Sequence, residues 1–207
     1  MTSHRIRSIL LACALGMPLL LGACGPDPQP EPEDRIETVN GVQVERWVPP
    51  EGETMPEPDA ETPVAILETE NGEIAIRLYY DRAPVTVENF LTLAGDGYYD
   101  GLTFHRVEPA LVQGGCPKGN GTGGPGWTIP FEDSGYNHYR GSVGMARKTD
   151  PDSAGSQFYI CKVDLPSLDR AYSVFGEVLS GMEAVDALEI GVVIESVRLT
   201  TYGDYRE

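Results

Sequence analysis

The sequence predicts a mainly β fold, a closed β-barrel with two helical lids, on three observations. Residues 64–207 break into eight short strand-like runs, glycine-rich turns separate them, and only two stretches carry a helical pattern. The first two runs, 65–67 and 74–78, flank Asn71-Gly72, a pair that predicts a tight hairpin with positive φ at both central residues. Pro84 then opens a helix on which Val87, Phe90, Leu91 and Ala94 share one face, with Gly95 placed to end it. Six more strands are expected at 103–107, 110–113, 142–146, 157–161, 172–178 and 192–199. A second short helix is expected from Ser180, where Ser180 and Glu183 have capping-box spacing ahead of Val185 and Leu188.

The chain ahead of this domain is of another kind. Residues 1–23 read as a signal peptide: His4, Arg5 and Arg7 give a basic start, and an apolar stretch follows from Ile9 to Leu21. That stretch is too short to span a bilayer core of ~30 Å as a helix, and Pro18 interrupts it. Leu21-Gly22-Ala23-Cys24 resembles the lipobox of bacterial lipoproteins, which implies cleavage before Cys24 and acylation of that cysteine. Several acyl chains on one residue anchor a protein stably where one chain does not. Gly25, rather than aspartate, follows the cysteine; by analogy this favours the outer membrane, facing the periplasm, as the place in the cell envelope.

Residues 24–63 read as an acidic, proline-rich tether. Positions 25–63 hold nine of the 17 prolines and eleven acidic residues against two arginines, a composition that buries little apolar surface. Within it, 36–48 carries Asn40-Gly41 among Val39, Val42, Val44 and Trp47, which fits a small hairpin or an apolar patch in a linker. Over the whole chain 32 acidic residues face 15 lysines and arginines. Such a field repels nucleic acid and anionic headgroups, so no nucleic-acid partner is expected and membrane contact falls to the lipid.

Several chemistries lack their starting signals. Three histidines and four cysteines (Cys13, Cys24, Cys116, Cys161) show no CxxC or HxxxH spacing, so no metal is expected. Residues 119–124 satisfy GxGxxG, but Pro125-Gly126 follow where a pyrophosphate-binding helix must begin, and no cofactor is expected. Cys116 and Cys161 would both lie outside the cytosol, where a disulfide is chemically allowed.

Two segments carry a specific signal. Phe104-His105-Arg106-Val107, then Gln113-Gly114-Gly115 and the glycine-rich run 121–126, form one; 141–147 (Gly-Ser-Val-Gly-Met-Ala-Arg) followed by 155–160 (Gly-Ser-Gln-Phe-Tyr-Ile) form the other. With Val87-Glu88-Asn89-Phe90, 97–101 and 174–178, they resemble the cyclophilin family of peptidyl-prolyl isomerases in order across 64–199. The resemblance implies an eight-stranded antiparallel barrel capped by two helices, X-Pro-containing polypeptides as clients, and a monomer. It implies Arg106 and Gln113 as catalytic residues. It implies substrate contacts from His105, Leu111, Val112, Met145, Ala146, Arg147, Gln157, Tyr159, Leu168 and Tyr172, with backbone at Ala146 and Arg147 pairing with the peptide. The hydroxyls of Tyr159 and Tyr172 are expected to face water, and His138 to support a loop. The family does not ordinarily bridge the places of Cys116 and Cys161.

Two departures bear on activity. Between Arg106 and Gln113 the run is one residue shorter than the family's and lacks the phenylalanine that floors the proline pocket, so Ala110 or Leu111 must stand in. Ser167 occupies the place of a frequent tryptophan or histidine. They leave room for a second class of function, a chaperone module that binds proline peptides with little turnover, and a third, a structural envelope protein.

Overall fold

A computed structural model describes residues 57–207 and, upstream, the backbone of strands β1 (Ile36–Val39) and β2 (Val42–Glu45). β1 and β2 pair antiparallel with Val39 opposite Val42, the pairing that the hairpin reading requires. The expectations for the signal segment, Cys24 and most of the tether lie outside the described residues.

The eight expected strands are present: β3 (Pro63–Thr69), β4 (Gly72–Leu78), β5 (Arg106–Val107), β6 (Leu111–Gly114), β7 (Ser142–Met145), β8 (Phe158–Cys161), β9 (Val174–Ser180) and β10 (Ser196–Thr201). They form one antiparallel sheet in the order β10-β3-β4-β9-β7-β8-β6-β5. The expected closed barrel is not formed; the sheet curls into an open half-barrel whose edge strands β10 and β5 do not pair. A two-residue β5 offers too few backbone groups for a closing ladder. Irregular backbone bonds bridge the gap upstream of both edges, from Gly101 N–H to the Ile194 carbonyl (2.8 Å) and from Phe104 N–H to the Val192 carbonyl (2.9 Å).

Turn details also differ from expectation. Thr69 pairs with Gly72, so the β3–β4 loop is Glu70-Asn71, and Gly72 alone takes a positive φ of 120°. The capping box at Ser180 does not form: Ser180 ends β9, its Oγ lies 2.6 Å from Tyr205 Oη, and α2 (Met182–Ala187) starts after Gly181 at φ 92°. α3 (Tyr202–Arg206) is a third helix, with Thr201 Oγ1 accepting from Asp204 N–H.

α1 (Pro84–Gly95) begins at its proline as read, and Val87, Phe90 and Ala94 are buried, joined by Leu93. Ala83 supplies no side-chain cap. Glu132 does instead, accepting from Val85 N–H (3.1 Å) and Thr86 N–H (2.7 Å), which ties residues near 132 to the helix start. Phe90 stacks on Tyr99 (centroids 5.0 Å apart) and meets Phe158 (5.7 Å) and Phe175 (5.4 Å), so the helix fills the curl of the sheet.

Candidate active site

Strand alternation decides which side chains meet. Arg106 stands opposite Gln113, Gln113 opposite Tyr159, and Tyr159 opposite Gly144, and partners across a ladder share a face. The neighbouring row, Val107, Val112, Ile160 and Val143, turns to the core. The outer face of the half-barrel is therefore the one that carries polar groups.

On that face a relay of hydrogen bonds runs across the strands. Arg106 Nη1 donates to Gln113 Oε1 (3.2 Å), Gln113 Nε2 to Gln157 Oε1 (2.9 Å), and Gln157 Nε2 to the carbonyls of Gly121 (2.9 Å) and Gly123 (2.8 Å). Glu108 holds the guanidinium from its other side, accepting from Nε (2.8 Å) and Nη2 (2.9 Å), and these bonds hold its carboxyl below the usual range. Three of five guanidinium N–H groups are engaged, which leaves one on Nη1 and one on Nη2 for a ligand.

Beside the relay lies an apolar cluster of buried Leu111, Tyr159 and Cys161, edged by the partly buried Ala146, Leu165, Leu168 and Tyr172. Gly144 lets the Tyr159 ring lie flat on β7, since an added Cβ would run into the ring. The Tyr159 hydroxyl points inward, 2.8 Å from His138 Nε2, correcting the water-facing expectation. His138 Nδ1 lies 3.0 Å from Asp169 Oδ1, which also accepts the His138 backbone N–H (2.7 Å). A carboxylate at Nδ1 assigns the proton to that nitrogen, so Nε2 accepts from Tyr159. Burial lowers the pKa of His138 against the upward pull of Asp169, and burial pushes that of Tyr159 well up.

A cavity of about 500 Å³ opens beside the relay, lined by Gln113, the loop 121–128, Ala146, Arg147, Lys148 and Gln157 among others. Ala146 borders both the cavity and the apolar cluster. The Ala146 N–H is donated to the Gln157 carbonyl (2.9 Å), so of the expected peptide-pairing groups this one is already used. Arg147 builds the wall: its guanidinium donates to the carbonyls of Ala171, Lys148 and Thr149 and lies 4.6 Å over the Tyr172 ring.

The structure thus brings together Arg106, Gln113, Gln157, Leu111, Ala146, Arg147, Tyr159, Leu168 and Tyr172. Leu111, not Ala110, supplies the apolar floor. His105 lies at the relay's end, its ring beside Gly121, and burial lowers its pKa against the upward pull of Thr103 and Gln157. Val112 and Met145 do not face the groove: both lie in the core, 0% and 1% exposed, because they alternate with Gln113 and Gly144. Cys116 and Cys161 are buried free thiols, that of Cys161 pushed up to about 12 by burial. Among the described residues no cluster of three or more histidine, cysteine or acidic side chains could hold a metal ion.

Two features escaped the sequence reading. Glu108 lies two residues beyond Arg106, the strand spacing that puts both on one face, and that signal was available. Asp169 is 31 residues from its partner His138, and no local pattern joins them.

A curled antiparallel half-barrel with an arginine and glutamine row on its outer face is the class that the fold and the site define. Comparison with known proteins narrows the class. The family model for cyclophilin type peptidyl-prolyl cis-trans isomerases matches residues 64–202. A Helicobacter pylori peptidyl-prolyl cis-trans isomerase is 48% identical over 143 residues, 67% of this chain and 87% of that protein. Peptidyl-prolyl cis-trans isomerase B of Bacillus subtilis is 47% identical over 133 residues, 63% of this chain and 92% of that protein. A Cryptosporidium parvum cyclophilin type isomerase, crystallised in the presence of the dipeptide Ala-Pro, superposes with a TM-score of 0.63 at 29% identity, covering 67% of this chain and 99% of that one. The chain belongs to the cyclophilin family and is a peptidyl-prolyl cis-trans isomerase of that type.

Proposed function

We propose that this isomerase turns over X-Pro bonds of exported polypeptides while a lipid on Cys24 holds it to the envelope, facing the periplasm. The observation that carries the catalytic part is Arg106, with two N–H groups uncommitted, beside the apolar cluster of Leu111, Tyr159 and Leu168. The envelope part rests on the signal-like segment, the Leu-Gly-Ala-Cys run ending at Cys24 and the acidic tether.

Rotation about an X-Pro bond faces a barrier of ~18–20 kcal/mol because the amide is conjugated. A site that holds the twisted amide better than the planar one lowers it, tenfold for each ~1.4 kcal/mol of preference. In the twisted form the proline nitrogen becomes pyramidal and gains a lone pair, which a guanidinium meets as a permanent, oriented donor. Gln113 and Glu108 hold the guanidinium in place, the apolar cluster meets the proline ring, and the cavity takes neighbouring residues. The Cryptosporidium relative was crystallised in the presence of the dipeptide Ala-Pro, a small proline-bearing compound of the class proposed here as substrate.

The second reading, a peptide-binding module with little turnover, draws on one observation, the two guanidinium nitrogens held by Glu108. NMR exchange on a short X-Pro peptide separates the two. Rapid exchange that falls about 100-fold in Arg106→Ala and recovers in part in Arg106→Lys is expected of the enzyme. Peptide that binds the wild type without faster exchange supports the module. Metabolic palmitate labelling, lost in Cys24→Ala, tests the anchor; an unlabelled wild type removes it.

A further inference from the structure

A second concavity of about 520 Å³ lies across Trp127 from the peptide cavity. Tyr80, Pro84, Val85, Glu88, Asn89, Thr92, Trp127 and Ile129 line it, so it sits between the outer side of α1 and residues 127–129. Three of the six large apolar side chains exposed among the described residues meet here: Trp127 (51%), Tyr80 (47%) and Val85 (43%). Single exposed apolar residues are ordinary, but three around one hollow form a patch of the kind that marks a contact surface.

The hollow is held in shape. Trp127 Nε1 donates to Asn89 Oδ1 (2.9 Å), and Asn89 Nδ2 donates to the carbonyl of Gly155 (2.8 Å), a residue that lines the peptide cavity. Ile129 forms a buried floor, its N–H bonded to the Ala154 carbonyl (2.9 Å), and Glu132 ties the same loop to the start of α1. An indole half in water and fixed by a hydrogen bond has already lost its rotational freedom, which lowers the entropy cost of covering it.

We propose that this hollow is an accessory client-binding site, which takes an apolar side chain from the same polypeptide whose X-Pro bond occupies the groove. The occupant follows from continuity: Trp127 borders both concavities, and Asn89 joins the hollow to the cavity wall, so a chain leaving the groove over Trp127 meets the patch directly. Apolar flanks of proline are exposed in unfolded polypeptides and buried in folded ones, so the site favours unfolded clients. It rests on the isomerase reading of the groove and adds a selectivity which that reading does not contain.

The test uses the full chain and two labelled peptides. One is a short X-Pro peptide; the other carries about eight further residues on either flank, with leucine or with serine at the positions that span the ridge. Binding is measured by fluorescence anisotropy and turnover by NMR exchange, so the two are read independently. Leucine on one flank is expected to tighten binding about tenfold over serine, the size of one apolar side chain leaving water. Tyr80→Ser with Val85→Ser, both outside the groove, should abolish that gain and leave turnover of the short peptide unchanged. A leucine gain that is absent, or that survives the double substitution, overturns the accessory site. A wild type that fails to speed the short peptide overturns the isomerase reading instead, while the anisotropy still decides the hollow. Sedimentation that shows a dimer lost in the double variant would assign the patch to a second copy and overturn the proposal.

Discussion

The two faces of the β6–β8 ladder differ by one residue in sequence and by everything in environment. Val112, Phe158 and Ile160 face inward with no measurable exposure, while Gln113, Gln157 and Tyr159, each one position away, face the groove. The inner face owes its order to packing, and the outer face to hydrogen bonds that fix polar groups before substrate arrives. The same backbone therefore supports a stability element and the proposed catalytic one, and substitutions on either side should separate cleanly.

The largest effect is expected on the inner face. Phe158 touches Phe90, Tyr99 and Phe104, and Phe158→Ala leaves a cavity that little can fill. A loss of ~3–5 kcal/mol in denaturant unfolding is expected. A loss under 1 kcal/mol would show that the aromatic cluster is not what holds α1 to the sheet.

On the outer face the effect should appear in rate and not in stability. Glu108 and Arg106 are both about half exposed, so their pairing adds little to folding. It fixes the direction of the guanidinium, and Glu108→Ala is expected to lower kcat/KM about fivefold with an unchanged unfolding midpoint. A rise in kcat/KM would mean that Glu108 restrains Arg106 by withholding N–H groups from the substrate.

Much of this contrast was legible in the sequence, and the failures have physical causes. The eight strands and the Pro84 helix start follow from local patterns that tertiary contacts reinforce, and the Arg106, Gln113 and Gln157 group from the family resemblance. Val112 and Met145 were misplaced because a backbone resemblance was extended to side chains, although alternation from Gln113 already turned Val112 inward. The capping box failed because β9 continues through Ser180 and leaves it no helical geometry. Barrel closure could not be read at all. It depends on whether β5 and β10 meet after seven intervening pairings, and no residue near either strand encodes that.

The smallest effect belongs to the chain of bonds that crosses from the groove to the interior, Tyr159 to His138 to Asp169. An unfolded histidine takes its proton near the ordinary value of 6.5, whereas burial makes the folded His138 resist it. Between the folded and unfolded pKa values the unfolded chain binds more protons, so stability rises with pH there and is lost as pH falls below about 6.5. His105 acts with the same sign, and Glu177, whose carboxyl burial raises, acts with the opposite sign at lower pH. The bulk melting curve mixes these groups, so the clean reading is the NMR titration of the His138 ring. It should show a pKa below 6.5 in the wild type. Tyr159→Phe removes the hydroxyl that donates to Nε2 of the neutral ring, which takes away a bond favouring the neutral form and should move the titration upward. A downward move would mean that the hydroxyl serves mainly as an acceptor for the protonated ring.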